Sequence, residues 1–212
     1  TNDKLVLHWI ENGFPLQWKD KPPQPQKTTW EGAITQKTLN ELLQYQVIEQ
    51  IPLNQEYHSS PILGIRDSIS DQDERATLWC KTVNEHITFT RYKYQTLRRL
   101  KPYLQHHIYM TRIDIRKAFW NLLVQTQHRK YLQFRHRNRL YQFRSLVMGM
   151  RPSPQIFNRL LKPIQKYLQQ KYPTLHTNFY QDDLLLLHKD KDRLQQLTLE
   201  VIQLFHSLGF TI

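Results

Sequence analysis

Two adjacent carboxylates, Asp182 and Asp183, interrupt a run that is otherwise apolar and aromatic, from Phe179-Tyr180 through Leu184-Leu185-Leu186-Leu187. This is the pattern of a β-hairpin whose tip carries charge, which costs free energy unless something cationic binds it. A third acid, Asp114, lies upstream in an alternating run. There Thr111, Ile113 and Ile115 share one strand face, while Arg112 and Asp114 share the other. Three such carboxylates suit a chemistry in which two divalent ions sit about 3.5–4 Å apart, one lowering the pKa of an attacking hydroxyl and one neutralising a triphosphate. The plain alternative is a pair of solvated turn acids, and Asp-Asp by itself does not separate the two.

Hydrophobic spacing outlines the elements that must position these acids. Residues 1–34, with Gly13, Pro15 and Pro22-Pro23-Gln24-Pro25, show little periodicity and read as an extended, partly irregular arm. Thr38 and Glu41 stand in capping-box spacing beside Leu39, Leu42 and Leu43, predicting a helix that ends near Gln46. Residues 60–65 and 76–83 read as two arms of a hairpin, with Arg66 and Arg75 at the shoulders of its polar tip. Leu97, Leu100 and Leu104 mark a helix, and residues 108–115 form the strand that ends near Asp114. Residues 131–134 and 140–143 read as strands joined by the cationic Arg135-His136-Arg137-Asn138-Arg139. Ser153-Pro154 opens a helix with Ile156, Leu160, Ile164 and Leu168 on one face and a bend at Pro163. Leu194, Leu197, Val201, Leu204 and Leu208 mark the last helix, which Gly209 is placed to stop.

The chain's 212 residues, 39% of them hydrophobic, can bury one core or those of two small lobes. Thirty Lys and Arg against 18 Asp and Glu give a net charge of +12, which favours a polyanionic partner. A merely basic surface would have the same totals, so the motifs must decide. Arg129, Lys130, Arg135, Arg137, Arg139 and Arg144 interleave with Tyr131, Phe134, Tyr141 and Phe143, a mix suited either to phosphate contact with base stacking or to an ordinary solvated sheet face. The single cysteine, Cys80, excludes a disulfide framework and a thiolate-rich zinc site, fits a reducing compartment, and reads as a small core residue. No apolar run approaches a membrane span of about 20 residues and no signal peptide opens the chain, so an intracellular protein, cytoplasmic or nuclear, with no membrane partner is expected. Both ends read as cuts in a longer polypeptide.

Together these residues resemble the polymerase motifs of reverse transcriptases. Tyr180-Gln181-Asp182-Asp183 is similar to the family's Tyr-x-Asp-Asp box. Asp114 with Ala118-Phe119 is similar to its first catalytic motif, and Leu146-Val147-Met148-Gly149 with Ser153-Pro154 to the motif ending in Ser-Pro. Arg75 with Asn84 matches the segment whose arginine contacts the triphosphate. The likeness covers about residues 35–212 and lies nearest to DIRS-like and long-terminal-repeat retrotransposons.

The resemblance implies an α+β right-hand polymerase: an antiparallel palm sheet backed by helices, a smaller fingers lobe, and no thumb in this chain. Residues 1–34 would be the arm, 35–107 mainly fingers, and 108–212 mainly palm, with fingers strands inserted at about 128–147. It further implies RNA-directed DNA synthesis from dNTPs on an RNA or DNA template-primer with two Mg²⁺, or Mn²⁺, and thumb and RNase H domains elsewhere in a polyprotein. Asp114, Asp182, Asp183 and the Ile115 carbonyl would hold the metals. Arg66 and Arg75 would grip the triphosphate, Phe119 would exclude a 2′-hydroxyl, and Met148 and Gly149 would line the nucleotide. Tyr180, Gln181, Ser153, Pro154, Arg135 and Arg137 would contact nucleic acid. Phe119 could equally be a core aromatic, a role for which Trp120 is the better candidate, and Gly149 a turn glycine. The sequence departs from the family at Val147, Met148, Trp79, Cys80, Lys81 and Lys117. A non-catalytic polymerase-derived module that binds nucleic acid or protein is the alternative. An RNA-dependent RNA polymerase is a third possibility, against which Phe119 argues.

Overall fold

The computed structural model describes residues 3–66, 73–90, 101–104 and 108–212. In chain order its elements are α1 (Lys4–Asn12), α2 (Gln36–Gln44), β1 (Ile48–Ile51), β2 (Ile62–Ile65), β3 (Arg75–Leu78), α3 (Lys81–His86), β4 (Tyr109–Asp114), β5 (Gln133–His136), β6 (Arg139–Phe143), α4 (Ser153–Lys171), β7 (His176–Tyr180), β8 (Asp183–His188) and α5 (Lys191–Ser207). Helices and wholly antiparallel sheets make this the α+β class expected. The chain divides into two compact units. One comprises Thr1–Val6, Arg91–Asn121 and Pro154–Ile212; the other comprises Leu7–Thr90 and Leu122–Ser153.

The unit that holds the aspartates is built on a three-stranded sheet in the order β4-β8-β7. Three of the four leucines in β8, Leu184, Leu186 and Leu187, supply its core and are fully buried. α5 covers β4 and β8 with Leu194, Leu197, Val201 and Phe205. Asp190 starts this helix by accepting from the Arg193 amide at 2.9 Å. Gly209 follows its end at φ 87°, the left-handed position where a glycine carries no Cβ penalty. Aromatic contacts Phe119–Phe157, Phe157–Phe210, Phe205–Phe210 and Phe179–Phe205 link α4, α5 and β7 at centroid distances of 5.4–6.4 Å. The Arg116 amide donates to the Thr211 carbonyl at 2.9 Å, so the residues after α5 return antiparallel beside the stretch that follows β4.

The second unit carries the sheet β1-β6-β5 and the hairpin β2-β3. β5 and β6 join through Arg137-Asn138 alone, both left-handed at φ 49° and 58°, which is the two-residue turn that matches strand twist. The cationic loop expected over residues 135–139 is therefore only two residues long. The interleaved aromatics face inward: Tyr131, Phe134, Tyr141 and Phe143 are 5% exposed or less, and Phe134 stacks on its register partner Tyr141. The stacking platform suggested by the sequence is thus a core, because the pairing sets Phe134 and Tyr141 on one buried face.

Three further expectations are corrected. Residues 4–12 form a helix rather than an extended arm, because Val6 and Trp9, three apart and 1% and 6% exposed, give one buried stripe. The first cap of α2 is Thr35, whose side chain accepts from the Thr38 amide, not Thr38 itself. Ile34 and Leu39, both buried, stand where a hydrophobic staple places its apolar pair. The hairpin arms are shorter than expected, 62–65 and 75–78, since Pro61 has no N–H to extend the ladder. The chain beyond Leu78 turns into α3 instead of continuing as a strand. Residues 67–72 of the polar tip, and Leu97 and Leu100 of the expected helix, lie outside the described residues.

Candidate metal and nucleotide site

The register of the first unit's sheet assembles the acids. Asp114 ends β4 and pairs with Asp183 at the start of β8, and Tyr180 closes β7 against the same residue. Gln181 and Asp182 form the turn. Gln181 takes a left-handed φ of 56°, a conformation that costs a non-glycine residue roughly 1 kcal/mol and tends to persist at functional sites. The Ile115 amide donates to the Asp182 carbonyl at 2.9 Å and fastens the turn to the residue after β4. Ile115 itself is buried, while Asp114, Asp182 and Tyr180 are exposed.

Although Asp182 is exposed as a residue, local desolvation of its carboxyl pushes the pKa up, and the charges of Asp114 and Asp183 push the same way. Such mutual repulsion is what a bound cation relieves, and carboxylate oxygens are the donors that hard divalent ions prefer. By donor chemistry the residues fit such ions. One positive group already contacts two of the acids: Arg112 Nε donates to Asp183 Oδ1 at 2.7 Å, and its Nη2 lies 3.9 Å from Asp114 Oδ1. In this arrangement no group of three or more acidic, histidine or cysteine side chains among the described residues is gathered for a metal ion. Arg112 was visible in the sequence as sharing a strand face with Asp114, but was given no role.

Phe119, half-buried on the same unit, packs edge-on to Phe157 at 6.1 Å. Trp120 is likewise half-buried and lies under the Lys117 ammonium at 4.7 Å. Pro154, half-buried, stands in the first turn of α4.

The remaining expected site residues lie in the second unit. Arg75 is exposed at the start of β3. Arg66 Nη2 is 3.8 Å from Glu74 Oε1. Met148 lies beside Thr77 in a parallel bridge, and its carbonyl accepts from the Leu78 amide at 2.9 Å. Gly149 has φ 103°, and a Cβ there would stand 2.0 Å from the Leu78 carbonyl oxygen. The chain's own packing against β3 therefore demands this glycine. Asn84, noted only for its spacing from Arg75, donates to the Gly149 carbonyl and accepts from the Arg151 amide. Ser153 is fully buried and donates to the Val147 carbonyl at 2.8 Å, so its hydroxyl serves the loop.

Arg135 is likewise committed, clamping the buried Glu56 carboxylate through Nε at 2.9 Å and through Nη2. Ser59 Oγ adds a bond to Glu56 at 2.6 Å. Arg137 Nη1 donates to Gln36 Oε1 at 2.8 Å. Arg129 and Arg144 both face Glu49. Neither glutamate was singled out in the sequence, where nothing marks an acid destined for a distant arginine. Cys80 is buried, and that burial raises its pKa far above the range of a reactive thiol.

The model of the reverse transcriptase (RNA-dependent DNA polymerase) family matches residues 23–212. Among curated proteins, the chain is 30% identical over 107 residues to the Gag-Pol polyproteins of Rous sarcoma virus subgroup B (strain Schmidt-Ruppin) and Avian leukosis virus subgroup A (isolate RSA). Each alignment covers 47% of this chain and 7% of the relative. The resemblance read from the motifs is borne out at the family level. No helix among the described residues is long and apolar enough to cross a membrane.

Proposed function

The chain belongs to the reverse transcriptase family, and from that premise we propose that it is the catalytic segment of an RNA-directed DNA polymerase, with Asp114, Asp182 and Asp183 as its metal-holding acids. The observation that carries this reading is the β4–β8 register, which pairs Asp114 with Asp183 and sets Asp182 in the adjoining turn. The unit containing β4, β7 and β8 would be the palm, and the other unit would supply the fingers.

Two Mg²⁺ ions, for which Mn²⁺ can stand in, would be held by these acids and the Ile115 carbonyl, and would supply activation of a primer hydroxyl and charge neutralisation of a dNTP. The protein's part is to fix the acids. The Ile115–Asp182 backbone bond and the strained Gln181 hold the turn, and the leucine core beneath β8 keeps it from yielding. Phe119 would present its ring to the incoming sugar and discriminate against a 2′-hydroxyl. Arg75, exposed on its own unit, retains a proposed role at the substrate phosphates. Template-primer, dNTPs and further polyprotein domains are the partners this reading implies.

Primer extension tests it. Asp182→Asn and Asp183→Asn should each reduce dNTP incorporation by about 10³-fold or more, the scale of losing several kcal/mol of transition-state stabilisation. Salt-sensitive nucleic-acid binding should persist in both variants. Undiminished extension by them, or faster incorporation of rNTPs than of dNTPs, would overturn the proposal. The contact of Arg112 with two of the acids favours a second reading, a binding module without catalysis. Extension by the unaltered chain would exclude it.

A further inference from the structure

Arg112 stands on β4 two residues before Asp114, so the strand's alternation projects it from the same face as that acid. Across the ladder it is paired with Leu185, which puts Asp183, two residues away on β8, diagonally within its reach. The guanidinium uses this position. It donates a 2.7 Å charge-assisted bond to Asp183 and approaches Asp114 to 3.9 Å. Its side chain is 67% exposed, against 57% for Asp114 and 33% for Asp183, so the cation lies over the acids from the solvent side.

Resting on the metal assignment above, we propose that Arg112 is a resident counter-cation of the aspartate site, bonded to Asp183 and Asp114 where a divalent ion would otherwise take their charge, and displaced when that ion binds. Three points support it. Asp183 Oδ1 cannot serve the Arg112 Nε–H and a metal ion with the same lone pair. An exposed ion pair is weak and yields to a doubly charged competitor. The Arg112 side chain is itself exposed, so the guanidinium can turn into water when the ion arrives. A guanidinium and a metal ion that compete for one carboxylate each weaken the other's hold, and by the same factor. The arginine would set a threshold of divalent ion below which the acids stay closed by the protein's own cation.

The test is equilibrium Mn²⁺ binding, counted from the free-ion electron paramagnetic resonance signal, with no nucleotide or primer present. Arg112→Leu should tighten Mn²⁺ binding about threefold or more, on the scale of removing one exposed charge from beside the site. Arg112→Gln, which keeps much of the stem and loses the charge, should do the same and covers the case in which the leucine variant fails to fold. A second readout is the melting temperature. The neutral variants should melt below the unaltered chain without metal, because three acids are left uncompensated, and should match or exceed it in saturating Mn²⁺. Unchanged or weaker Mn²⁺ binding in both variants overturns the counter-cation proposal alone, provided that Asp183→Asn still abolishes binding. Absence of Mn²⁺ binding in every form, the neutral variants included, overturns the metal assignment and the proposal with it.

Discussion

A carboxylate withdrawn from water costs several kcal/mol unless a cation and hydrogen-bond donors meet it. Glu56 is in that position, with its side chain wholly buried and held by Arg135 and Ser59. The Arg135 hydrogen bonds are the main reason its pKa lies below the ordinary carboxylate value, against an opposing push from burial. Arg135→Ala should therefore destabilise the unit by about 3 kcal/mol, the low end for a broken buried pair because the arginine is one-third exposed. Urea denaturation would measure it. The pH dependence gives a check of sign. With Arg135 present, the native carboxyl has the lower pKa, so its stabilisation is complete above the unfolded value of 4.5 and is lost as pH falls through the native value. Without Arg135 the largest cause of that lowering is gone while the push from burial remains, so the native pKa should rise and the variant's deficit should narrow as pH falls toward the carboxylate range. Nucleic-acid affinity should change little, since the guanidinium is already spent on Glu56.

At the scale of elements, the loop from Ser145 to Ser153 is shaped against β3. Gly149→Ala combines a left-handed backbone with a Cβ 2.0 Å from a backbone oxygen that has no flexible end to move. The expected cost is upwards of about 2 kcal/mol, read as a lowered thermal midpoint, and the Asn84 bonds to this loop should weaken with it. The strands were the legible part of the fold, because alternation in residues 109–114 and the apolar run after Asp183 can satisfy only one register without burying charge. So were α4 and α5, whose leucines repeat at helical spacing. What the sequence hid was decided by partners distant along the chain. α1 has only Val6 and Trp9 as its buried stripe, and the true cap of α2 was masked by a second threonine three residues later. The aromatics of residues 131–143 became core only once Phe134 was set opposite Tyr141. At the candidate site the acids were readable from their spacing, whereas the Arg112–Asp183 bond depends on a diagonal across two strands that no single segment displays.

Over the whole molecule, the net charge of +12 is distributed unevenly in function. Arg112, Arg129, Arg135, Arg144 and Arg159 are each held near an acid of the same chain, so fewer than the thirty Lys and Arg can turn to an outside polyanion, although the net charge, which already counts those acids, is unchanged. A primed template that touches four or more phosphates through the remaining cations should bind at least about a hundredfold more weakly at 200 mM than at 50 mM salt. A flat response to salt would mean that the basic balance serves solubility instead.

The two units are also braided by connectivity, for the backbone passes from one to the other after Val6, Thr90, Asn121 and Ser153. Neither can be excised as a cassette, and a single proteolytic nick would liberate neither one intact. An insertion or splice that displaced residues 122–153 would take β5, β6 and the Gly149 loop from their own unit, while leaving the aspartate sheet with every one of its strands.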